Sequence, residues 1–168
     1  SDVCSSDLKN QGKDSSNLVL PQKWQISLII MFIFFQLIIP FRHHLYPGHT
    51  NWHEEGHYFA WRMMLRQKEI EMRFDITNPQ TNETRYAVLS DYLNPSQMRS
   101  FAGNPGMNLQ FAHHLKDLVQ EHAGFTPKVT ALINVSLNGR KKEKLVEKDL
   151  DLARIPRFQP SYWWVNKF

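Results

Sequence analysis

The run Trp24–Phe41 (WQISLIIMFIFFQLIIPF) carries no formal charge over about 18 residues, and it limits the fold more than any other part of the chain. Its length is near the lower bound for a bilayer-spanning helix, which needs about 17–25 apolar residues. In lipid every backbone N–H and C=O must be satisfied within the segment, so a lone span must be helical. Gln25, Ser27 and Gln36 are its only polar members. A core helix of a soluble domain would show one apolar face, whereas this run is apolar all round. A signal peptide fits less well, because basic residues before the run are sparse and no small-residue cleavage site follows. Trp24 and Tyr46 flank it where interfacial aromatics belong. Pro40 predicts an end or a kink near Ile39. Lys9, Lys13 and Lys23 precede the run and Arg42 follows it, too even a balance to set orientation.

The remaining chain predicts an α+β fold: one transmembrane helix followed by a mixed helix and β-hairpin extramembrane domain. We divide it into a disordered, non-native start (1–20), the transmembrane helix (21–41) and an α+β domain (42–168). The start, SDVCSSDLKNQGKDSSN, has too little apolar surface to offset chain entropy. It lacks an initiating Met, and the chain reads as the C-terminal part of a longer protein. Cys4 is the only cysteine, so no internal disulfide and no cysteine-based metal site can form. Lys and Arg total 20 against 16 Asp and Glu. They are interspersed rather than striped, which argues against a nucleic-acid partner.

Local signals place the elements of the domain. Asn51 at an N-cap with Glu54 three residues on has capping-box spacing, predicting a helix from Asn51 to about Lys68. Ile70, Met72, Phe74 and Ile76 alternate with charged residues, the period of a half-buried strand. A turn at Asn78–Asn82 leads to a returning strand, Arg85–Leu89. Asn94-Pro95 and Asn104-Pro105 each pair an N-cap with Pro at the first helical position. The second of these helices ends at Gly124, a natural C′ glycine. Lys128–Leu137 is the strongest soluble strand, and Asn138-Gly139 predicts a type I′ turn returning along Arg140–Glu147. The tail cluster Tyr162-Trp163-Trp164 is expected to lie over an apolar surface, of the domain or of the membrane interface.

One pattern suggests metal chemistry. His53-Glu54-Glu55-Gly56-His57 spells HExxH, in which two His four apart on a helix bind zinc and the Glu acts as general base. Against this, the pattern lies in the first turn of its helix, Glu54 already has a capping role, and a third ligand is needed. His113, His114, Glu121 and His122 lie downstream without a recognisable spacing. A solvated-helix reading of those histidines is preferred, with one of the adjacent pair His113-His114 buried. No metal is favoured; the alternative zinc-peptidase site is His53, Glu54 and His57. A further alternative is a non-catalytic, membrane-anchored binding module.

Several separated stretches carry a resemblance. Pro40-Phe41-Arg42-His43-His44-Leu45-Tyr46-Pro47-Gly48, Asn51-Trp52 and Trp61-Arg62-Met63-Met64 resemble the membrane-to-lumen junction of the vitamin K-dependent γ-glutamyl carboxylase and HTTM (horizontally transferred transmembrane) family. Val135-Ser136-Leu137-Asn138-Gly139-Arg140 and Lys148-Asp149-Leu150-Asp151-Leu152 are similar to a later region of the same family. The resemblance implies a membrane lyase that carboxylates peptide glutamate with CO2, coupled to oxygenation by O2 of a reduced vitamin K quinol. It also implies that the family's membrane lysine base and most of the quinone pocket have no counterpart here, so no catalytic residue is assigned and the chain alone is expected to be inactive. The family commonly has Thr where His53 stands. By resemblance the substrate-binding residues are Trp52, His57 and Trp61, as walls of a peptide site, with His43 as a polar group at the membrane boundary. The implied partners are the lipid bilayer, an N-terminal transmembrane bundle absent from this sequence and a glutamate-containing peptide. The implied location is a bacterial inner membrane with the C-terminal domain periplasmic.

Overall fold

The computed structural model describes residues 22–60 and 67–168. The chain divides into two compact units, Ser1–Leu37 and Ile38–Phe168. The start expected to be disordered (1–20) lies outside the described residues.

In the first unit, helix α1 spans Lys23–Ile38 and buries none of its residues. Its Ile, Leu and Phe side chains are exposed around the whole circumference, so it has no core-facing stripe and suits a uniformly apolar surrounding. At Ile39 the α-helix tightens into a 3₁₀ segment, Ile39–Leu45, with Pro40 in its first turn. Proline has no N–H to donate and its ring crowds the preceding turn, so the change of pitch falls where the sequence predicts it. Lys23–Leu45 is one helical stretch long and apolar enough to cross a membrane.

The second unit is built on a four-stranded antiparallel sheet in the order β2-β1-β3-β4. Strand β1 (Lys68–Thr77) pairs with β2 (Thr84–Ala87) and, along its whole length, with β3 (Lys128–Leu137). The register sets Ile70 opposite Val135, Met72 opposite Ile133, Phe74 opposite Ala131 and Ile76 opposite Val129. Because side chains alternate across a strand, these pairs share one face. That face packs with helices α3 (Pro95–Ala102) and α4 (Pro105–Ala123) through Phe101, Leu109, Phe111, Ala112 and Leu115. Phe74 is fully buried, with the Phe111 ring edge-on at 5.1 Å. Burying one such side chain contributes about 1.5–3 kcal/mol.

The helix signals hold in detail. Asn94 caps α3 in a reciprocal capping box with Gln97, and the Asn104 side chain accepts from the Met107 N–H at the start of α4. Gly124 closes α4 in the left-handed conformation, φ 72°. Asn138 and Gly139 both have positive φ, and the Arg140 N–H donates to the Leu137 carbonyl, as a type I′ turn requires. His113 is buried, with its Nε2 2.7 Å from the Ile155 carbonyl oxygen, while His114 is exposed.

Two expectations are corrected. The predicted helix from Asn51 to Lys68 is a single turn, α2 (Thr50–His53), with His49 at its N-cap position and no side-chain cap bond. Glu54 adopts the left-handed conformation, φ 67°, and ends it. The capping box at Asn51 is not formed, because the Glu54 carboxylate pairs with Lys68 instead, and Lys68 opens a strand. The strand expected over Arg140–Glu147 is only β4, Glu143–Lys144. Leu145 and Val146 leave the ladder to enter the core. In the tail, Trp164 and Val165 are buried in the domain while Trp163 stays exposed.

Asn108 of α4 is fully buried, and neither its amide oxygen nor its amide nitrogen has a hydrogen-bond partner. A buried polar group left unsatisfied costs about 1–3 kcal/mol. Replacing Asn108 by Leu is therefore expected to raise stability by about 1–2 kcal/mol, read from urea unfolding of the full chain in detergent micelles. A fall in stability would show that the amide has a structural role.

Candidate functional site

Two cavities bracket the short helix α2. The first, of about 580 Å³, is lined by Pro47, Gly48, His49, Trp52, His53 and the C-terminal segment including Tyr162 and Phe168. The second, of about 550 Å³, is lined by Glu54, Lys68, Ile70, Met72, Arg99 and Phe101, among others.

α2 and the C-terminal segment hold each other in place at the first cavity. Trp52 is 2 % exposed, its indole Nε1–H donates to the Asn166 carbonyl at 2.8 Å, and its ring lies 4.8 Å from that of Phe168. The Glu55 carboxylate accepts the Ser161 N–H at 2.8 Å. The Tyr162 ring stands 6.0 Å from both Tyr46 and His53. These contacts join residues more than 100 positions apart, so the site exists only in the folded chain.

His53 is 3 % exposed. Its Nδ1 accepts the Glu55 N–H at 3.0 Å, which leaves the ring proton of the neutral imidazole on Nε2. Nε2 is buried, and a backbone hydrogen bond with Pro47 acts on the ring. Gly48, whose φ is 91°, passes beside the ring, where a Cβ would stand at ordinary contact distance, 3.6 Å from His53 Cδ2. Burial lowers the His53 pKa below 6.5, because desolvation disfavours the charged ring. The nearby Glu55 carboxylate raises it in part, Lys68 and His49 lower it further, and a backbone hydrogen bond with Pro47 raises it.

At the second cavity the Lys68 ammonium is 2.5 Å from Glu54 Oε1 and donates to the carbonyls of Trp52 and Gly103, each at 3.1 Å. Both side chains of the pair are under a tenth exposed. One cation thereby ties the end of α2, the end of α3 and the start of β1.

Of the residues expected to form a peptide site, Trp52 lines the first cavity. His43 is half-buried, with Nδ1 2.7 Å from the Pro40 carbonyl oxygen. His57 is half-buried, its ring 6.4 Å from that of Tyr58. Neither histidine lines either of these cavities. Gly56, beside His57 in sequence, has φ 72°, and a Cβ there would come within 2.7 Å of the Tyr46 ring and 3.0 Å of the His43 Cα. Trp61 lies outside the described residues. The zinc reading of His53, Glu54 and His57 loses its geometric premise, since the helix ends at His53 and Glu54 turns to Lys68. Among the described residues, no three His, Cys, Asp or Glu side chains converge to hold a metal ion. Sequence reasoning missed Lys68, Tyr162 and Phe168. Their only signals were a charge opening an alternating strand and an aromatic-rich tail.

Two measurements follow. Native His53 stays neutral below pH 6.5, where the unfolded chain takes up a proton, so the unfolded state binds more protons and stability falls with acidification. Urea midpoints should drop between about pH 7 and about pH 5, and His53→Phe should flatten that slope; equal slopes would refute the assignment. Lys68→Met should cost about 3–5 kcal/mol by leaving Glu54 unpaired, and adding Glu54→Leu should recover part of the loss. A double-mutant cycle without coupling would argue against the pair.

The family model for the vitamin K-dependent gamma-carboxylase, lumenal domain, matches residues 21–167. No solved structure gives a significant match.

Proposed function

This chain belongs to the vitamin K-dependent gamma-carboxylase lumenal-domain family, and from that premise we propose that it is the membrane-anchored, peptide-presenting part of a γ-glutamyl carboxylase-like lyase. The observation that carries the proposal is the extent of the match, which takes in both the exposed apolar helix and the sheet domain. The helix fits a lipid partner, because its whole surface is apolar and none of it is buried. The domain then stands on the lumenal side, periplasmic in a bacterial inner membrane.

In this reading a glutamate-containing peptide lies on the domain near the bilayer. Trp52, His57 and Trp61 wall its site, and His43 is a polar group at the boundary. A reduced vitamin K quinol with O2 would supply the strong base that the family's reaction needs, and CO2 the added carboxyl group. The described residues do not fit that part. Lys68, a buried lysine at the cavity wall, faces Glu54 and two backbone carbonyls rather than a substrate. No catalytic residue and no quinol-dependent step are therefore assigned here. The missing base and quinol pocket would come from an N-terminal transmembrane bundle.

The test uses the full chain in detergent micelles. A blocked glutamyl peptide should bind saturably, with about tenfold weaker binding in His57→Ala. Incubation with that peptide, reduced vitamin K, O2 and labelled CO2 should give no label incorporation. Turnover by this chain alone would overturn the division of labour, and absence of peptide binding would overturn the presenting role.

A further inference from the structure

Strand β1 has an edge that the sheet leaves open. β3 pairs with it over its whole length, Lys68–Thr77, whereas β2 pairs with it only from Phe74 to Thr77. After Ala87 the chain leaves the ladder and turns into the 3₁₀ segment Leu89–Asp91. Among the described residues no strand stands beside the first half of β1 on that side. Alternation identifies the backbone groups left there. Within a strand the N–H and C=O of one residue point to the same side, and those of the next residue to the other. The Gln67 carbonyl accepts from Asn138 on the β3 side, and the Asn78 N–H donates to Glu83 on the β2 side. Ile70 and Met72, which alternate with the residues bonded to β3, therefore aim their N–H and C=O groups at the open edge.

Their side chains share that opening. Ile70 and Met72 are half-buried, while Phe74 in the paired half is fully buried. With Leu89, Met98 and Phe101 they line the cavity of about 550 Å³. A free edge beside an apolar groove takes an extended chain: main-chain hydrogen bonds hold its backbone, and the groove takes alternate side chains. Residues set opposite Ile70 and Met72 in an antiparallel strand share their face, so their side chains enter the groove. The residue between them lies on the other face, beside the exposed Glu69 and Glu71. Opposite charge is favoured there and like charge is not. Glu71 already meets Lys142, but in an exposed pair that solvent screens. A groove of this volume holds a few side chains of one strand, not a second sheet with its helices.

We propose that the β1 edge at Ile70 and Met72 binds an extended peptide segment as an added antiparallel strand, with apolar residues at alternate positions in the groove and a basic residue between them. The inference rests on the peptide-presenting role and deepens it. The edge grips a segment that flanks the glutamate, because Glu69 and Glu71 disfavour a carboxylate at the position between the apolar residues.

The experiment uses the full chain in detergent micelles, labelled with ¹⁵N-isoleucine and ¹⁵N-methionine, and an acetylated, amidated peptide of sequence Thr-Val-Lys-Val-Thr. At a peptide concentration about ten times Kd, the Ile70 and Met72 amides should exchange with deuterium about tenfold more slowly. N-methylation of the two valines, whose N–H groups would donate to Ile70 and Met72, should weaken binding about tenfold. N-methylation of the lysine, whose N–H points away from β1, should leave it unchanged; equal weakening by both would overturn the backbone pairing. Glu71→Lys, on the exposed face, should weaken binding about threefold, and unchanged affinity would overturn the charge preference. A blocked glutamyl peptide that binds while both amides stay unprotected, with no binding of the alternating peptide, would overturn the edge site and leave the presenting role intact. Absence of binding by both peptides would overturn both. Protection of the two amides on raising the protein concentration without peptide would assign the edge to a second copy of the chain and overturn the proposal.

Discussion

The buried ion pair between Glu54 and Lys68 holds the second unit in its shape around α2. Glu54 sits in a left-handed conformation that L-residues seldom adopt. Its carboxylate reaches the Lys68 ammonium at 2.5 Å, and the same ammonium takes the carbonyls of Trp52 and Gly103. Three segments distant in sequence thus meet on one cation. A buried pair of this kind is not strongly stabilising against an apolar substitute, but losing one partner is severe. The pair thereby sets where α2 stops and where β1 begins. One cavity has Glu54 and Lys68 in its wall, and the other has Trp52 and His53.

The rest of the core is ordinary sheet–helix packing. One face of β1 and β3 carries aliphatic residues and Phe74, and α3 and α4 cover it with Phe101, Phe111, Leu109 and Leu115. The opposite face of β1 carries charged residues such as Glu71 and Arg73, both exposed. Against this regular layer, the segment from Pro47 to Ala60 and the tail from Ser161 to Phe168 are irregular. They are held by side-chain-to-backbone bonds, Trp52 to Asn166 and Glu55 to Ser161. Irregular backbone supported by a rigid layer is where binding residues usually sit, and the His53 cavity lies there.

Most of the secondary structure was legible because its signals are local. The Asn-Pro pairs, Gly124, the Asn138-Gly139 turn and the period-2 alternation act over a few residues, and the caps, the turn and strands β1 and β3 formed where they predict, while the strand after that turn kept only Glu143–Lys144. The segment after Asn51 was misread for the same reason. Its capping spacing and apolar content favour a helix locally, but a partner 14 residues away outweighs them by drawing Glu54 into the ion pair. The HExxH spelling likewise rests on a helical period that the chain does not keep.

By itself, the sequence determined the apolar helix, the antiparallel hairpins, the two capped helices and, through ordered and widely spaced stretches, the family. All of these depend on composition, period or short spacing. Only the tertiary structure decided that His53 stands with Trp52 and Tyr162, that Phe168 lies against Trp52, that Lys68 closes on Glu54, and that the Gly56 backbone comes against His43 and Tyr46. Those contacts join residues as far as 116 positions apart, Trp52 and Phe168. No periodicity encodes them, because they follow from where the sheet and its covering helices leave room for the two irregular segments to meet.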